Sequence, residues 1–135
     1  MIKLDFFGEN AKFDHIGLAV KSIKDVSPSS EIITDPIQRV SVAFVIVNGI
    51  KIELIEPYGD NSPVTDSLKK GVKFLHMCYA VSDIELVLKE CRKHGFHPIA
   101  RPVPAIAFNN KKIAWVYSNK YGLFELLEDS IPSVK

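Results

Sequence analysis

The stretch Phe13-Asp14-His15-Ile16-Gly17-Leu18-Ala19-Val20-Lys21-Ser22-Ile23 recurs 61 positions later as Phe74-Leu75-His76-Met77-Cys78-Tyr79-Ala80-Val81-Ser82-Asp83-Ile84. Five pairs are identical: Phe13/Phe74, His15/His76, Ala19/Ala80, Val20/Val81 and Ile23/Ile84. Two further echoes follow in the same order. Val42-Ala43-Phe44-Val45 returns as Ile113-Ala114-Trp115-Val116, and Ile52-Glu53-Leu54-Ile55-Glu56 returns as Phe124-Glu125-Leu126-Leu127-Glu128. Ordered self-similarity marks a duplicated structural unit. The chain therefore reads as a single domain, 1–135, made of two modules at about 11–57 and 72–129. The polar, turn-rich segment Tyr58-Gly59-Asp60-Asn61-Ser62-Pro63 joins them.

The modules differ in one interval. Between Ile23 and Val42, module one is about ten residues shorter than module two is between Ile84 and Ile113. In module two this interval opens on Ser82-Asp83-Ile84-Glu85, which reads as a capping box with Ser82 at the N-cap. Ile84, Val87, Leu88 and Cys91 follow at helical spacing, and Gly95 supplies a stop. In module one Pro28 removes a hydrogen bond and clashes with the preceding turn, so the helix there is expected to be stunted or lost. Phe13–Val20, Ser41–Val47, Ile50–Ile55, Leu75–Val81, Lys112–Tyr117 and Leu123–Leu127 read as strands, with Asn48-Gly49 as a two-residue hairpin turn. Each module has a sheet face it cannot cover alone, which predicts an α+β fold of two paired βαβββ modules with a shortened first helix.

Composition limits the function. The 17 Lys plus Arg balance 16 Asp plus Glu for a net charge of +1, so no basic excess exists to neutralise a run of phosphates. Nucleic acid is not an expected partner. The apolar content of 47% argues against disorder, and no run approaches the length of a membrane span. Met1 to Asn10 carries Lys3, Asp5 and Glu9 and has no apolar core of a leader. A cytoplasmic protein with Cys78 and Cys91 as thiols is the expectation.

Strand alternation then sorts the side chains. Ile16, Leu18 and Val20 share the face under the helix layer, leaving His15, Gly17 and Ala19 on the other. In the repeat, Leu75, Met77, Tyr79 and Val81 face the helix, and His76, Cys78 and Ala80 face away. Glu53 and Glu125 likewise fall on the face opposite Ile52/Leu54 and Phe124/Leu126. A lone strand histidine is most often a satisfied core or surface residue, and Glu56 and Glu128 read as solvated. The recurrence of one His and one Glu at matched positions is what points to a divalent-metal site at His15, Glu53, His76 and Glu125. Imidazole with carboxylate suits Zn, Co, Ni, Fe or Mn, and four ligands on an octahedral ion leave two positions for a bidentate substrate.

These residues resemble the vicinal oxygen chelate (glyoxalase/bleomycin resistance) superfamily. The resemblance rests on His15-Ile16-Gly17-Leu18-Ala19-Val20, on Ile52-Glu53-Leu54-Ile55-Glu56-Pro57 followed by Asp60-Asn61-Ser62-Pro63, on Leu75-His76-Met77, and on Gly122-Leu123-Phe124-Glu125-Leu126. It runs from Phe13 to Glu128. Within the superfamily the chain is most similar to methylmalonyl-CoA epimerases, on the Glu-Pro and Ser-Pro segments and on Lys111-Lys112-Ile113-Ala114-Trp115. The resemblance implies a curved mixed sheet around one metal cleft, with His15, Glu53, His76 and Glu125 as ligands. It also implies that the ion chelates a thioester carbonyl and a carboxylate, that a base takes the intervening proton, and that the enolate is stabilised on the metal. Inversion needs two proton-transfer groups on opposite faces of the substrate.

The resemblance places one of those groups at Glu125. The other is a glutamate that would fall near Asp35-Pro36-Ile37; none is there, and Asp35 is the nearest carboxylate, with Glu31 next. The substrate-lining loop also departs from the family, reading Pro104-Ala105-Ile106-Ala107-Phe108-Asn109-Asn110. Cys78, Trp115 and Phe44 read as packed residues, while His94, His97, Lys69-Lys70 and Lys111-Lys112 read as surface. The expected function is thus a metal-dependent epimerase acting on an acyl-CoA or other thioester, with a homodimer as its assembly. A glyoxalase I-like lactoylglutathione lyase and a non-catalytic small-molecule-binding protein are the alternatives.

Overall fold

The computed structural model describes residues 1–130. In chain order the elements are β1 (Lys12–Ala19), α1 (Ile23–Val26), β2 (Ile33–Asp35), β3 (Val40–Val47), β4 (Ile50–Pro57) and α2 (Pro63–Lys69). They continue with β5 (Phe74–Val81), α3 (Ile84–Glu90), β6 (His97–Pro98), β7 (Val103–Ala105), β8 (Lys111–Ser118) and β9 (Gly122–Glu128). Short 3-10 turns occupy Cys91–His94 and Ile106–Phe108. Among the described residues the nine strands form one mixed sheet in the order β2-β3-β4-β1-β5-β9-β8-β6, with β7 on β8. The fold is α+β, as the sequence predicts. Module one is βαβββ; module two carries one strand more, because its longer interval holds both β6 and β7. No helix among the described residues is long and apolar enough to cross a membrane.

The repeat extends to the ladders. β1 runs parallel to β4 with Gly17 opposite Glu53, and β5 runs parallel to β9 with Cys78 opposite Glu125. β3 pairs antiparallel with β4, and β8 with β9. The β3–β4 turn is the expected one: Asn48 and Gly49 both have positive φ, 48° and 85°, which a two-residue hairpin of this twist demands.

Two compact units share these elements. The first-module unit holds residues 15–76 and 105–110; the second-module unit holds residues 1–14, 77–104 and 111–130. These units do not coincide with the two modules as consecutive stretches of chain. The N-terminal segment belongs with module two, and the Ile106–Phe108 turn belongs with module one.

In the first-module unit, Ile23 is completely buried and packs with Leu18, Val20, Ile52 and Leu54, the face assigned to the helix layer. Burying one such side chain is worth about 1.5–3 kcal/mol. The other face packs Ala19, Val42 and Ile55 against Val64 and Leu68 of α2. That helix is absent from the sequence reading, which treats the segment after Ser62-Pro63 as connection. Its start signal is nevertheless present: Ser62 accepts from the Val64 amide at 3.4 Å, and Pro63 stands at the first helical position, where no amide is needed. In the second-module unit, Ile84, Leu88 and Cys91 pack with Val81, Ala114, Val116 and Leu126, joined by Phe7 and Phe96. The N-cap of α3 is Asp83, not Ser82: the Asp83 carboxylate accepts from the Leu86 amide at 3.1 Å. Ile84 is the first residue of the helix and is wholly buried.

Candidate metal centre

Three of the four expected ligands meet within the first-module unit. His15 lies on β1, Glu53 on the adjoining β4, and His76 on β5. Their side-chain exposures are 0%, 6% and 1%. Glu53 Oε1 is 3.3 Å from His15 Nε2 and 3.6 Å from His76 Nε2. One ligand atom from each residue lies within 4.8 Å of the others. Burying a carboxylate is costly unless a positive charge accompanies it, supplied either by a protonated imidazole or by an ion.

The donor set and its spacing fit a divalent ion. Ligand atoms about 2.1 Å from a metal stand about 3.0 Å apart at a right angle and about 3.4 Å apart at a tetrahedral angle. The two N–O separations in this cluster, 3.3 and 3.6 Å, lie on either side of the tetrahedral edge. Both histidines present Nε2 towards the carboxylate, as neutral imidazole ligands do.

The wall around this cluster is aromatic. The Phe108 ring stacks on His15 with centroids 5.6 Å apart, and Phe44 meets His15 edge-on at 5.9 Å. Phe44 is the cross-strand partner of Glu53 and is half-buried; it packs against the Ala19–Val42–Ile55–Val64 core, as expected, and also flanks the carboxylate. Phe108 was not singled out within its loop. It reaches His15 because Asn109 and Asn110 both adopt positive φ, 56° and 62°, which turns the chain sharply after the 3-10 segment. No local periodicity announces that docking.

Gly17 has a specific steric duty. A methyl group there would overlap the His76 imidazole, with Nε2 only 2.8 Å away. His76 therefore lies flat against the backbone of β1. The matched position in module two is Cys78, fully buried and opposite Glu125 on β9.

Glu125 belongs to the second-module unit, where it is 2% exposed and has Trp115 as its other strand neighbour. Trp115, like Phe44, is half-buried beside a glutamate. The register Cys78–Glu125 repeats Gly17–Glu53, so the two glutamates hold equivalent places in their modules.

Asp35 is placed elsewhere. It is the last residue of β2, 5% exposed, and its Oδ1 accepts from the amides of Ile37 and Gln38 at 2.9 and 3.0 Å. Asp35 pairs with Val40 and Val40 with Pro57, two strands across and four residues along from Glu53. At strand spacings that is roughly 16 Å. Its carboxylate shapes the turn after β2. Glu31 is exposed.

Glu56 and Glu128 are not the solvated residues expected. Glu56 Oε1 accepts from the Ile23 amide at 2.9 Å, and Glu128 Oε2 accepts from the Ile84 amide at 3.0 Å. Each ties the last turn of a parallel strand to the first amide of its module's helix. A matched acid three residues beyond Glu53 and Glu125 was the available signal. Cys91 is fully buried, and burial pushes its thiol pKa up, so it behaves as an apolar packing residue. His94, His97 and the paired lysines are on the surface, with Lys111 bound to Asp129 at 2.8 Å.

Residues 14–115 match the family model described as the glyoxalase/bleomycin resistance protein/dioxygenase superfamily. The chain is 35% identical over 115 residues to the uncharacterized protein YqjC of Bacillus subtilis strain 168, spanning 78% of this chain and 81% of that one. It is 26% identical over 117 residues to a mitochondrial methylmalonyl-CoA epimerase of Dictyostelium discoideum, spanning 78% and 70%. Its fold superposes on the crystal structure of methylmalonyl-CoA epimerase from Mycobacterium tuberculosis with a TM-score of 0.75 at 19% identity, covering 88% of each chain. The duplicated strand modules, the buried His15–Glu53–His76 cluster and the family match agree: the chain belongs to the glyoxalase/bleomycin resistance protein/dioxygenase superfamily.

Proposed function

We propose that the chain is a divalent-metal-dependent isomerase that moves the proton at C2 of a 2-carboxyacyl thioester, as in methylmalonyl-CoA epimerases. The observation that carries this reading is the buried Glu53 carboxylate held between two imidazole Nε2 atoms at metal-ligand spacings. His15, Glu53 and His76 would hold the ion, and Glu125, by its equivalence to Glu53 in the repeat register, would be the fourth ligand. When bound, such an ion supplies Lewis-acid polarisation of two vicinal substrate oxygens, which acidifies the carbon between them. Glu125 takes the C2 proton in this reading, and its burial removes the water that would otherwise solvate the carboxylate. Phe44 and Phe108 shield His15 and keep the cluster dry, which strengthens every charge interaction inside it. Asp35 receives no proton-transfer role, because its carboxylate serves the β2 turn.

The test is incubation of the metal-loaded protein with methylmalonyl-CoA in heavy water. Deuterium at C2, abolished by Glu125→Ala, is the expected result. Exchange that survives Glu125→Ala removes the assigned base. No exchange, with turnover of the methylglyoxal–glutathione adduct, replaces the reading by a lyase; inactivity in both assays with metal retained replaces it by a binding protein.

A further inference from the structure

We propose that the groove beside the β8–β9 turn is a binding site for a purine nucleotide, taking the base and a phosphate together. The groove lies wholly within the second-module unit, and the proposal does not depend on the isomerase reading. Its volume of about 740 Å³ falls in the range of small-ligand sites. His97 on β6 stands directly opposite Tyr117 on β8, so the two rings project from the same face of the sheet. Tyr117 is 47% exposed, and both rings line the groove. Phe6 lines it too, with its ring centroid 4.8 Å from that of Tyr121 and 5.5 Å from that of His94. Flat side chains of this kind take a base by its π face, whatever its substituents.

The charge of the groove fits the other half of a nucleotide. The chain as a whole is nearly neutral, yet among the described residues Lys93 and Lys120 line the groove and no carboxylate does. Lys93 is bound to Glu90 at 2.6 Å, so its charge is already balanced. Lys120 makes no ion pair among the described residues and is the cation left for a phosphate. Its place on the turn is fixed. Ser118, 2% exposed, accepts from the amides of Lys120 and Tyr121 at 3.1 and 3.3 Å. A backbone set before the ligand arrives loses less freedom on binding. A phosphorylated purine can be a free nucleotide or the nucleotide end of a CoA thioester. Tyr117 stands two residues along β8 from Trp115, the strand partner of Glu125, about 7 Å away on the same face. A thioester held at Glu125 can therefore extend its carrier arm towards this groove.

The experiment is calorimetric titration of the full chain with ADP, adenosine and inorganic phosphate. ADP is expected to bind about ten-fold or more tightly than either fragment, because base and anion are held together. Tyr117→Leu is expected to weaken ADP and adenosine alike by about five-fold or more, the scale of a lost stacking partner. Tyr117→Phe, which keeps the ring, is expected to restore both. Lys120→Gln is expected to weaken ADP about ten-fold, the scale of a charge-assisted contact, and to leave adenosine unchanged. Competition separates the two sources. Coenzyme A that displaces ADP marks the groove as the seat of a thioester's nucleotide end, and coenzyme A that does not displace it marks a free-nucleotide site. No ADP binding in the wild type, or ADP affinity undiminished in either Tyr117→Leu or Lys120→Gln, overturns the proposal. Absence of deuterium exchange with ADP binding intact removes the isomerase reading and leaves the nucleotide site standing; exchange without ADP binding does the reverse.

Discussion

The helix face of module one and that of module two are covered to different depths by the same device. In both, a glutamate from the parallel strand binds the first helix amide, Glu56 to Ile23 and Glu128 to Ile84. In both, a short polar residue caps the helix, Ser22 in α1 and Asp83 in α3. The rows nearest the helix start are equally dry, with Ala43 and Leu54 at 1% each and Ala114 and Leu126 at 2% and 0%. One row further the modules part: Val116 is fully buried, while Val45, its counterpart, is only half-buried. The four residues of α1 reach one row; the seven of α3 and the turn that continues it reach two. Helix length sets how far that face is sealed. It does not touch the opposite face, where His15 and Glu53 remain 0% and 5% exposed beside the shortened helix.

Five substitutions probe this contrast. Ile23 is the single buried residue of α1, whereas Ile84 shares its task with Leu88 and Cys91. Ile23→Ala is expected to cost about 4 kcal/mol in urea denaturation, at the upper part of the range for such truncations. Ile84→Ala should cost about 3 kcal/mol, and a reversed order would mean that α1 is not what seals module one. Gly17→Ala should push His76 off β1 and weaken cobalt or zinc binding about 100-fold, in the range seen when a ligand loses its orientation. Competition with a chromophoric chelator measures this, and unchanged affinity with native circular dichroism would show that His76 is not seated by Gly17. The smallest effect is expected at the strand–helix ties. Glu56→Gln and Glu128→Gln should each cost about 1 kcal/mol, and amide exchange at Ile23 should quicken more than at Ile84, because α1 has fewer other bonds to hold it.

Much of this was legible in the chain. The six long strands, the Asn48-Gly49 hairpin, the stunted α1 and the His15/Glu53/His76 set all follow from alternation, turn chemistry and the repeat, which act over a few residues or between copies, whereas the short β2, β6 and β7 were not read. What escaped was non-local or lay outside the repeat. α2 has no counterpart in module two and was lost in a linker. Phe108 reaches His15 from the far end of the sequence through two asparagines with positive φ. Asp35, carried over by resemblance to a nearby position, is held by the amides of Ile37 and Gln38, a partnership that no family pattern specifies.

The sequence by itself determined that two copies of one module exist, which face of each strand carries the histidines and glutamates, and which copy lacks a full helix. Side-chain direction in a strand is set by the backbone at each residue, so these readings needed no fold. Tertiary structure alone decided that Glu53 stands between two imidazoles, that Glu56 and Glu128 bind helix amides 33 and 44 positions away, and that Phe108 stacks on His15. Those facts depend on strand register, which is chosen by the packing of whole faces against one another.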